Sequence, residues 1–151
     1  SGKYTYEDMA VYVSCDPGGD GEFRRWLAIV NTFPGVTVIQ KDRKAKHPPK
    51  CPACHAKVTS CPHCGGSMRG TVEKGIDTAI VTDMIRLAWE NAYDVAVLAT
   101  SDRDFIPAAE FIAQKGLKVV NAFYPGRGHD LAQKCWGSFD VTSVLTRCER
   151  K

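Results

Sequence analysis

The sequence lacks several features that would each point to a particular class of protein. Its apolar runs fall short of the roughly 18 residues that a membrane-spanning helix needs, so no membrane association is predicted. It shows no recognisable signal peptide, and seven cysteines are an odd number, which argues against a framework of paired disulfides. No internal repeat is visible, and the only biased tract is residues 41–50. We therefore expect a reducing, cytoplasmic setting.

Negative charge is scarce in the middle of the chain. Asp42 is the one acidic residue between positions 41 and 70, although the whole chain of 151 residues has a net charge of only +3. The cations of this stretch are Lys41, Arg43, Lys44, Lys46, Lys50, Lys57 and Arg69. Such a local excess is typical of a surface that contacts a polyanion, and a solvated basic loop has the same pattern.

Elsewhere, short apolar segments alternate between strand-like and helix-like patterns. We predict strands over 9–14, 36–40, 95–100 and 117–123, and helices over 22–33, 77–90, 105–115 and 129–136. This alternation predicts an α/β fold with a mostly parallel sheet flanked by helices. Residues 46–70 lose the periodicity, so we expect one domain of residues 1–45 and 71–151 with a small insert at 46–70. Trp26 and Trp89 are expected in the core.

The insert contains two C-x-x-C pairs, formed by Cys51, Cys54, Cys61 and Cys64. Four thiolates at this spacing suit tetrahedral Zn²⁺, which would order a loop too small for a core of its own. We predict a structural zinc-knuckle insert. Lys44, Lys46 and Lys50 flank it and are candidates for contact with a phosphate backbone.

Four carboxylates are placed near the ends of predicted elements. Asp102 and Asp104 follow the apolar run at 95–100, and Asp77 and Asp83 lie on the preceding helix. The carboxyl ends of parallel strands are where ligands bind in such folds, and oxygen ligands suit Mg²⁺ or Mn²⁺. Three of the four also have a structural interpretation: Asp104 as an N-cap, Asp77 as a partner of the helix dipole, and Asp83 as a partner of an amide or a lysine. Asp102 has no comparably simple one.

Three further residues are candidates for phosphate contact. Arg127 and the neighbouring His129 follow a strand in a Gly-rich loop, and Lys74 precedes the helix with Asp77. Ordinary surface placement is an equal alternative for the loop residues, and Lys74 has Glu73 as an alternative partner. The remaining cysteines, Cys15, Cys135 and Cys148, have no accompanying His–Asp arrangement, so we do not expect a nucleophile among them.

Taken together, the acidic segments resemble the NYN domain, the LabA-like branch of the PIN-like nuclease superfamily. Its K-G-x-D helix start matches Lys74, Gly75 and Asp77, and its second helix aspartate matches Asp83. Its S-D-x-D-F motif matches the segment Ser101–Phe105. The resemblance covers most of the chain. It implies a PIN-like Rossmannoid fold and metal-dependent RNA cleavage that leaves 5′-phosphate ends, with Asp77, Asp102, Asp104 and Asp83 as the catalytic acidic residues.

The sequence departs from that family at its start. The family begins with a strand that ends in a D-G-x-N-like motif, which supplies a metal ligand. Residues 9–17 are one candidate for that strand, with Asp16 as the ligand, but the following segments fit the second strand better. We therefore expect the first strand and its helix to be missing from this chain, and the expected partners are a fragment that supplies the strand or further copies of the chain in a homo-oligomer.

These observations predict a metal-dependent endoribonuclease that hydrolyses RNA phosphodiester bonds. Zn²⁺ is expected as a structural metal, Mg²⁺ or Mn²⁺ as the catalytic one, and RNA as the partner. The first alternative is an RNA-binding module without catalysis, which the missing first-strand aspartate favours. The second is another D-x-D phosphoryl-transfer enzyme, Toprim-like or haloacid-dehalogenase-like, although this leaves the acidic helix before the strand unexplained.

Overall fold

The structure is a computed structural model that describes residues 3–19, 21–126 and 128–148, without the side chains of Thr146 and Cys148. The chain forms two compact units, Ser1–Ile76 and Asp77–Lys151. The α/β class predicted from the sequence is confirmed, since strands in both units pair in parallel and alternate with helices.

The first unit is built on a βαβ arrangement. Strand β1 (Met9–Cys15) leads through helix α1 (Gly21–Val30) to strand β2 (Val36–Asp42). The two strands pair in parallel over their whole length, from Met9 opposite Val36 to Cys15 opposite Asp42. Gly35 turns the chain into β2 with a φ of 69°, a left-handed conformation that favours glycine.

A second, antiparallel pair extends from the first unit. Strand β3 (Lys44–Lys46) pairs with strand β4 (Gly70–Val72), and the last partners of this ladder are Lys46 and Gly70. Residues 47–69 therefore leave and return at one point of the fold. That is the position at which the sequence analysis placed an insert.

The second unit contains most of the regular structure. Its elements are α2 (Ile76–Trp89, whose first residue belongs to the first unit), β5 (Val95–Ala99), a 3-10 turn (Arg103–Phe105), α3 (Ile106–Gln114), β6 (Lys118–Phe123), α4 (His129–Lys134), β7 (Gly137–Asp140) and α5 (Thr142–Cys148). The strands form a parallel sheet in the order β5-β6-β7. Chain order and spatial order agree, as expected when each helix returns the chain to the start of the next strand.

The core of this unit lies between the sheet and its helices. Its buried members are Ala88, Leu98, Phe105, Ala109, Ile112, Val119 and Leu131. Helix α2 adds Ile80, Val81 and Met84 from one side of the helix, at the i, i+1 and i+4 spacing that turns them toward the same neighbours. Because Leu98 and Val119 lie on adjacent strands, this apolar face fixes the register of β5 and β6.

Two points of the sequence-based prediction need correction. Strand β7 was not predicted, since its sequence GSFD carries one large apolar residue, and pairing with β6 decides its conformation. Trp26 and Trp89 are 53% and 72% exposed and therefore are not core residues.

Within the described ranges, no helix combines the length and the apolar character needed to cross a bilayer.

Candidate functional site

Two loops of the second unit enclose a cleft of about 660 Å³. One loop follows β5 and the other follows β6, so the cleft lies where adjacent parallel strands reach their carboxyl ends. The residues that line it are Thr100, Ser101, Asp102, Arg103, Gly126, Gly128, His129 and Asp130. Of the four predicted acidic ligands, this lining includes Asp102 and leaves out Asp77, Asp83 and Asp104.

The carboxylate of Asp102 is held by the backbone beside it. Its Oδ1 accepts the N–H of Asp104 at 2.9 Å and so caps the 3-10 turn. Its own N–H donates to Thr100 Oγ1 at 3.2 Å. The last residue of the turn, Phe105, is 1% exposed and packs in the core of the second unit. The capping role suggested for Asp104 therefore belongs to Asp102, and the cap holds an exposed carboxylate at the rim of the cleft.

Asp104 lies inside the 3-10 turn and is exposed. The helix that follows, α3, begins with Pro107 in its first turn and uses no side-chain cap. Asp104 thus contributes its backbone N–H to the Asp102 cap, while its carboxylate faces solvent. Its role as a metal ligand stays a prediction.

Helix α2 precedes β5 in the chain and begins at Ile76. Asp77 lies in the first turn of the helix, one turn before Ile80 and Val81, and its side chain is exposed. Asp83 lies farther along the helix and pairs with Arg86 at 3.4 Å. Asp77 does not line the cleft, and its role as a metal ligand stays a prediction. Asp83 takes part in a surface ion pair.

Arg86 also bonds Glu90 at 2.9 Å, in the i,i+4 arrangement. The pKa of Arg86 is raised, chiefly by the hydrogen bond to Glu90 and secondarily by Asp83. At the surface such pairs contribute little to stability, because water screens them. The interactions of Asp83 in this group are therefore sufficient to explain an aspartate on α2.

Oxygen donors dominate the cleft. Asp102 and Asp130 supply carboxylates, and Thr100 and Ser101 supply hydroxyl groups. Mg²⁺ is commonly held by one or two carboxylates with water and substrate phosphate completing its shell. In the described part of the chain, no three or more His, Cys, Asp or Glu side chains form a group that could hold a metal ion. The donors thus fit a hard cation shared with a phosphate substrate, and not an all-protein cage.

Asn121 supports the cleft from the middle of β6 and was missed by the sequence analysis. It is fully buried, and its Nδ2 donates to Leu98 O at 3.0 Å and to Thr100 O at 2.9 Å. It therefore ties the end of β5 to β6 just before the chain reaches Asp102. A signal was present, because an amide inside the apolar run at 118–123 is costly unless it is bonded.

The second loop is held against the first by Gly128, which has a φ of 84°. A Cβ built on Gly128 would lie 2.9 Å from Ser101 Cα, so only glycine allows this approach. His129 follows, with its ring 6.1 Å from that of Phe123. His129 and Asp130 were not among the predicted ligands of the acidic cluster, although both line the cleft. Arg127, a predicted RNA contact, lies outside the described residues.

The predicted zinc ligands lie in two tight turns of the first unit. Cys51 neighbours Cys54, and Cys61 neighbours Cys64. Each pair stays by itself, because no group of three such ligands is found in the described ranges. The predicted RNA contacts Lys44, Lys46, Lys50 and Lys74 are all exposed.

At the end of β1, Asp16 belongs to a separate polar network of the first unit. Its Oδ1 lies 3.6 Å from Arg43 Nε and accepts the hydroxyl of Thr71 at 2.5 Å. Arg43 in turn donates to Thr71 Oγ1 at 3.0 Å and to Ser14 Oγ at 3.3 Å. Asp16 thus fastens β4 to the end of β1 through Arg43 and Thr71.

The second unit defines the chain as an α/β protein with its cleft at the carboxyl ends of adjacent parallel strands. Comparison with known proteins gives the family. The NYN domain family model matches residues 11–141, so the chain belongs to the NYN domain family, which is a family of PIN-like nucleases. This supports a nuclease-related role and confirms the resemblance drawn from the sequence. The match confirms neither the zinc insert nor the missing first strand.

No curated protein matches the chain. Among solved structures, it is similar to the crystal structure of a protein of unknown function from Vibrio parahaemolyticus. The two share 19% sequence identity with a TM-score of 0.55, over 87% of this chain and 68% of the other. At this identity the likeness supports the fold alone.

Proposed function

We propose that this chain is a metal-dependent endoribonuclease that hydrolyses RNA phosphodiester bonds. One observation carries the proposal: in a chain of a nuclease family, the S-D-x-D-F motif places Asp102 in a cleft at the ends of β5 and β6. A carboxylate at this position is what phosphoryl-transfer chemistry with a divalent cation needs. The substrate enters as an extended backbone, because the cleft is bounded by two loops and not by a closed pocket wall.

The side chains of the cleft divide into two groups by charge. Asp102 and Asp130 would hold Mg²⁺ or Mn²⁺, and Asp77 and Asp104 remain predicted ligands of the same ion. When bound, the cation supplies charge neutralisation and polarisation of the scissile phosphate. Arg103 and His129 line the same cleft and are placed to donate hydrogen bonds to phosphate oxygens. The residues thus match both the cation and the polyanionic substrate.

Positioning of these groups depends on backbone contacts. Asp102 is oriented by the N–H of Asp104, and the loop before it is tied to β6 by Asn121. The second loop is brought to Ser101 by Gly128. A preorganised site of this kind avoids reorganisation as charge develops in the transition state. The hydrogen bonds therefore support a catalytic use of the cleft.

The test is the variant Asp102→Asn. The asparagine keeps a side-chain oxygen that can accept the N–H of Asp104, so the cap and the fold should survive while the negative charge is lost. We expect Mn²⁺-stimulated cleavage of a labelled RNA to fall at least 100-fold, with an unchanged circular dichroism spectrum. The matched control is Glu90→Gln. It removes an exposed carboxylate that pairs with Arg86, directly after the end of α2 and outside the lining of the cleft. Full cleavage by Asp102→Asn would refute the assignment.

An RNA-binding module without catalysis is the second candidate. It is favoured by the finding that the described residues include no group of three or more metal-binding side chains. In that case RNA affinity would survive removal of Mg²⁺ and Mn²⁺, and neither ion would stimulate cleavage by the intact chain. Measuring binding and cleavage on the same RNA, with and without chelator, separates the two candidates.

A further inference from the structure

The insert between β3 and β4 contains a ten-residue structural repeat, so the expectation that the chain has no internal repeat is wrong. In the first copy, Cys51 N–H donates to Ala56 O at 2.9 Å and His55 N–H donates to Cys51 O at 2.9 Å. In the second copy, Cys61 N–H donates to Gly66 O at 2.8 Å and Gly65 N–H donates to Cys61 O at 2.9 Å. His55 and Gly65 both have left-handed φ, of 59° and 70°. The two C-x-x-C turns are therefore the same knuckle built twice.

The repeat extends to the thiols. Backbone N–H groups of Cys54 and Ala53 donate to the Cys51 sulfur, and those of Cys64 and His63 donate to the Cys61 sulfur. In each copy, the first cysteine of the turn is therefore the hydrogen-bond acceptor for the backbone of that turn.

The insert has very little buried surface to hold it together. Across residues 47–69, no residue is buried, and only Pro48, Cys51, Val58 and Cys61 are half-buried. A piece of this size without an apolar core usually needs a metal or disulfides. The cysteines are free thiols, and the pairs are not yet one site. A tetrahedral ion that takes two thiolates from each knuckle would supply the missing constraint.

The two copies differ at one pair of positions that carries charge. Lys50 and Lys57 face each other across an antiparallel bridge in the first copy, whereas Ser60 and Ser67 occupy the same places in the second. Like charges opposite each other on paired strands are destabilising. No acidic residue lies between positions 43 and 72 to relieve this repulsion within the insert. A bound polyanion would relieve it, and RNA phosphate is the polyanion that the proposed function provides.

We propose that one Zn²⁺ joins the two knuckles through Cys51, Cys54, Cys61 and Cys64, and that the joined insert binds the RNA backbone through Lys50 and Lys57. The metal part is independent of the nuclease proposal. The RNA part rests on it for the identity of the polyanion. The insert then serves as a zinc-ordered arm that holds RNA, in addition to the cleft of the second unit.

The metal part is tested on the full chain, stripped of metal and titrated with Co²⁺ under reducing conditions. We expect one Co²⁺ per chain, the absorption of a tetrahedral tetrathiolate site, and its displacement by Zn²⁺. Cys54→Ser and Cys64→Ser should each abolish that spectrum, and Cys135→Ala, outside the insert, should leave it unchanged. One ion per two chains, two ions per chain, or no thiolate absorption would overturn this part.

The RNA part is tested by making the first knuckle carry the residues of the second, in Lys50→Ser/Lys57→Ser. Serines already occupy these places in the second copy, so the knuckle should fold and bind metal normally. Affinity for fluorescein-labelled oligo(U) is measured by anisotropy without Mg²⁺ or Mn²⁺, in the Asp102→Asn background. Each phosphate contact contributes roughly 0.7 to the slope of log K against log[salt], so losing two makes that slope shallower by about 1.4. At 0.1 M salt this corresponds to binding that is about 25-fold weaker.

The matched control is Lys115→Ser/Lys118→Ser, which removes two cations of the second unit that stack on Trp89 and Trp136. It should change the slope less than the knuckle variant does. Equal RNA affinity and equal salt slope for the knuckle variant and its parent would refute RNA binding through Lys50 and Lys57. Binding is measured without cleavage, so the RNA part of this proposal and the nuclease proposal can fail separately. If the wild-type chain does not cleave RNA but the knuckle variant still has a shallower salt slope, only the nuclease proposal is refuted.

Discussion

Asn121 offers the sharpest test of how the cleft is built. Its amide is fully buried, and Nδ2 donates to the carbonyl oxygens of Leu98 and Thr100 at 3.0 and 2.9 Å. Its Oδ1 is buried without a partner among the described atoms. The variant Asn121→Asp keeps the shape of the side chain but replaces the donor with an acceptor. A carboxylate would then face two carbonyl oxygens from which it can accept no hydrogen bond.

The loss of stability in Asn121→Asp can be estimated from the cost of keeping the new carboxyl group protonated. An aspartic acid with an ordinary pKa near 3.9 that must stay neutral at pH 7 costs about 4 kcal/mol, at about 1.4 kcal/mol per pH unit. Asn121→Ala loses two hydrogen bonds worth about 1 kcal/mol each, offset in part because the unpartnered oxygen is also removed. At pH 7, Asn121→Asp should therefore lower the free energy of unfolding by about 2 kcal/mol more than Asn121→Ala does.

The sign of the pH dependence gives a second check. Burial and the facing carbonyls raise the folded-state pKa of the new carboxyl above its unfolded value, so the protein keeps its stability at acidic pH and loses it as pH rises. Denaturant unfolding followed by circular dichroism at pH 4.5 and pH 7 measures this for both variants. If Asn121→Asp is as stable as Asn121→Ala at pH 7, Asn121 is not the donor that ties β5 to β6.

Two further predictions concern the second unit. Gly128→Ala should lower RNA cleavage at least 10-fold, because the new Cβ would meet Ser101 Cα at 2.9 Å. The affinity of the insert for oligo(U) should be unchanged. Cleavage at the wild-type rate would show that this close approach is not needed. Tyr93→Phe should cost about 0.5–1.5 kcal/mol, since the hydroxyl donates to Met84 O at 2.8 Å. Because burial raises the pKa of Tyr93, its contribution is complete below pH 10 and disappears as pH rises through the raised value; identical alkaline unfolding of variant and wild type would contradict this.

The sequence was most informative where local pattern and tertiary role agree. The run Val95–Ala99 is continuous and apolar, and it forms the strand whose end carries Asp102. The S-D-x-D-F motif and the K-G-x-D helix start were sufficient for the family, which the match over residues 11–141 then confirmed. It was least informative for Trp26 and Trp89, because an aromatic residue on an amphipathic helix can face either a core or solvent.

Other features could not be read from any single segment. Asn121 matters because β6 pairs with β5, and that pairing brings Thr100 O within reach of its amide. His129 and Asp130 join Asp102 only because Gly128 allows one loop to touch the next. The strand β7 exists through its partner β6 and not through its own four residues.

The amino-acid sequence by itself determined the α/β class, the family, the paired cysteines and the cationic insert, because these depend on residue types at short spacing. Only the tertiary structure decided which side chains share the cleft and that Asn121 ties the end of β5 to β6. These depend on contacts between segments far apart in the chain, where hydrogen bonds and close approach select among arrangements that the local pattern allows equally.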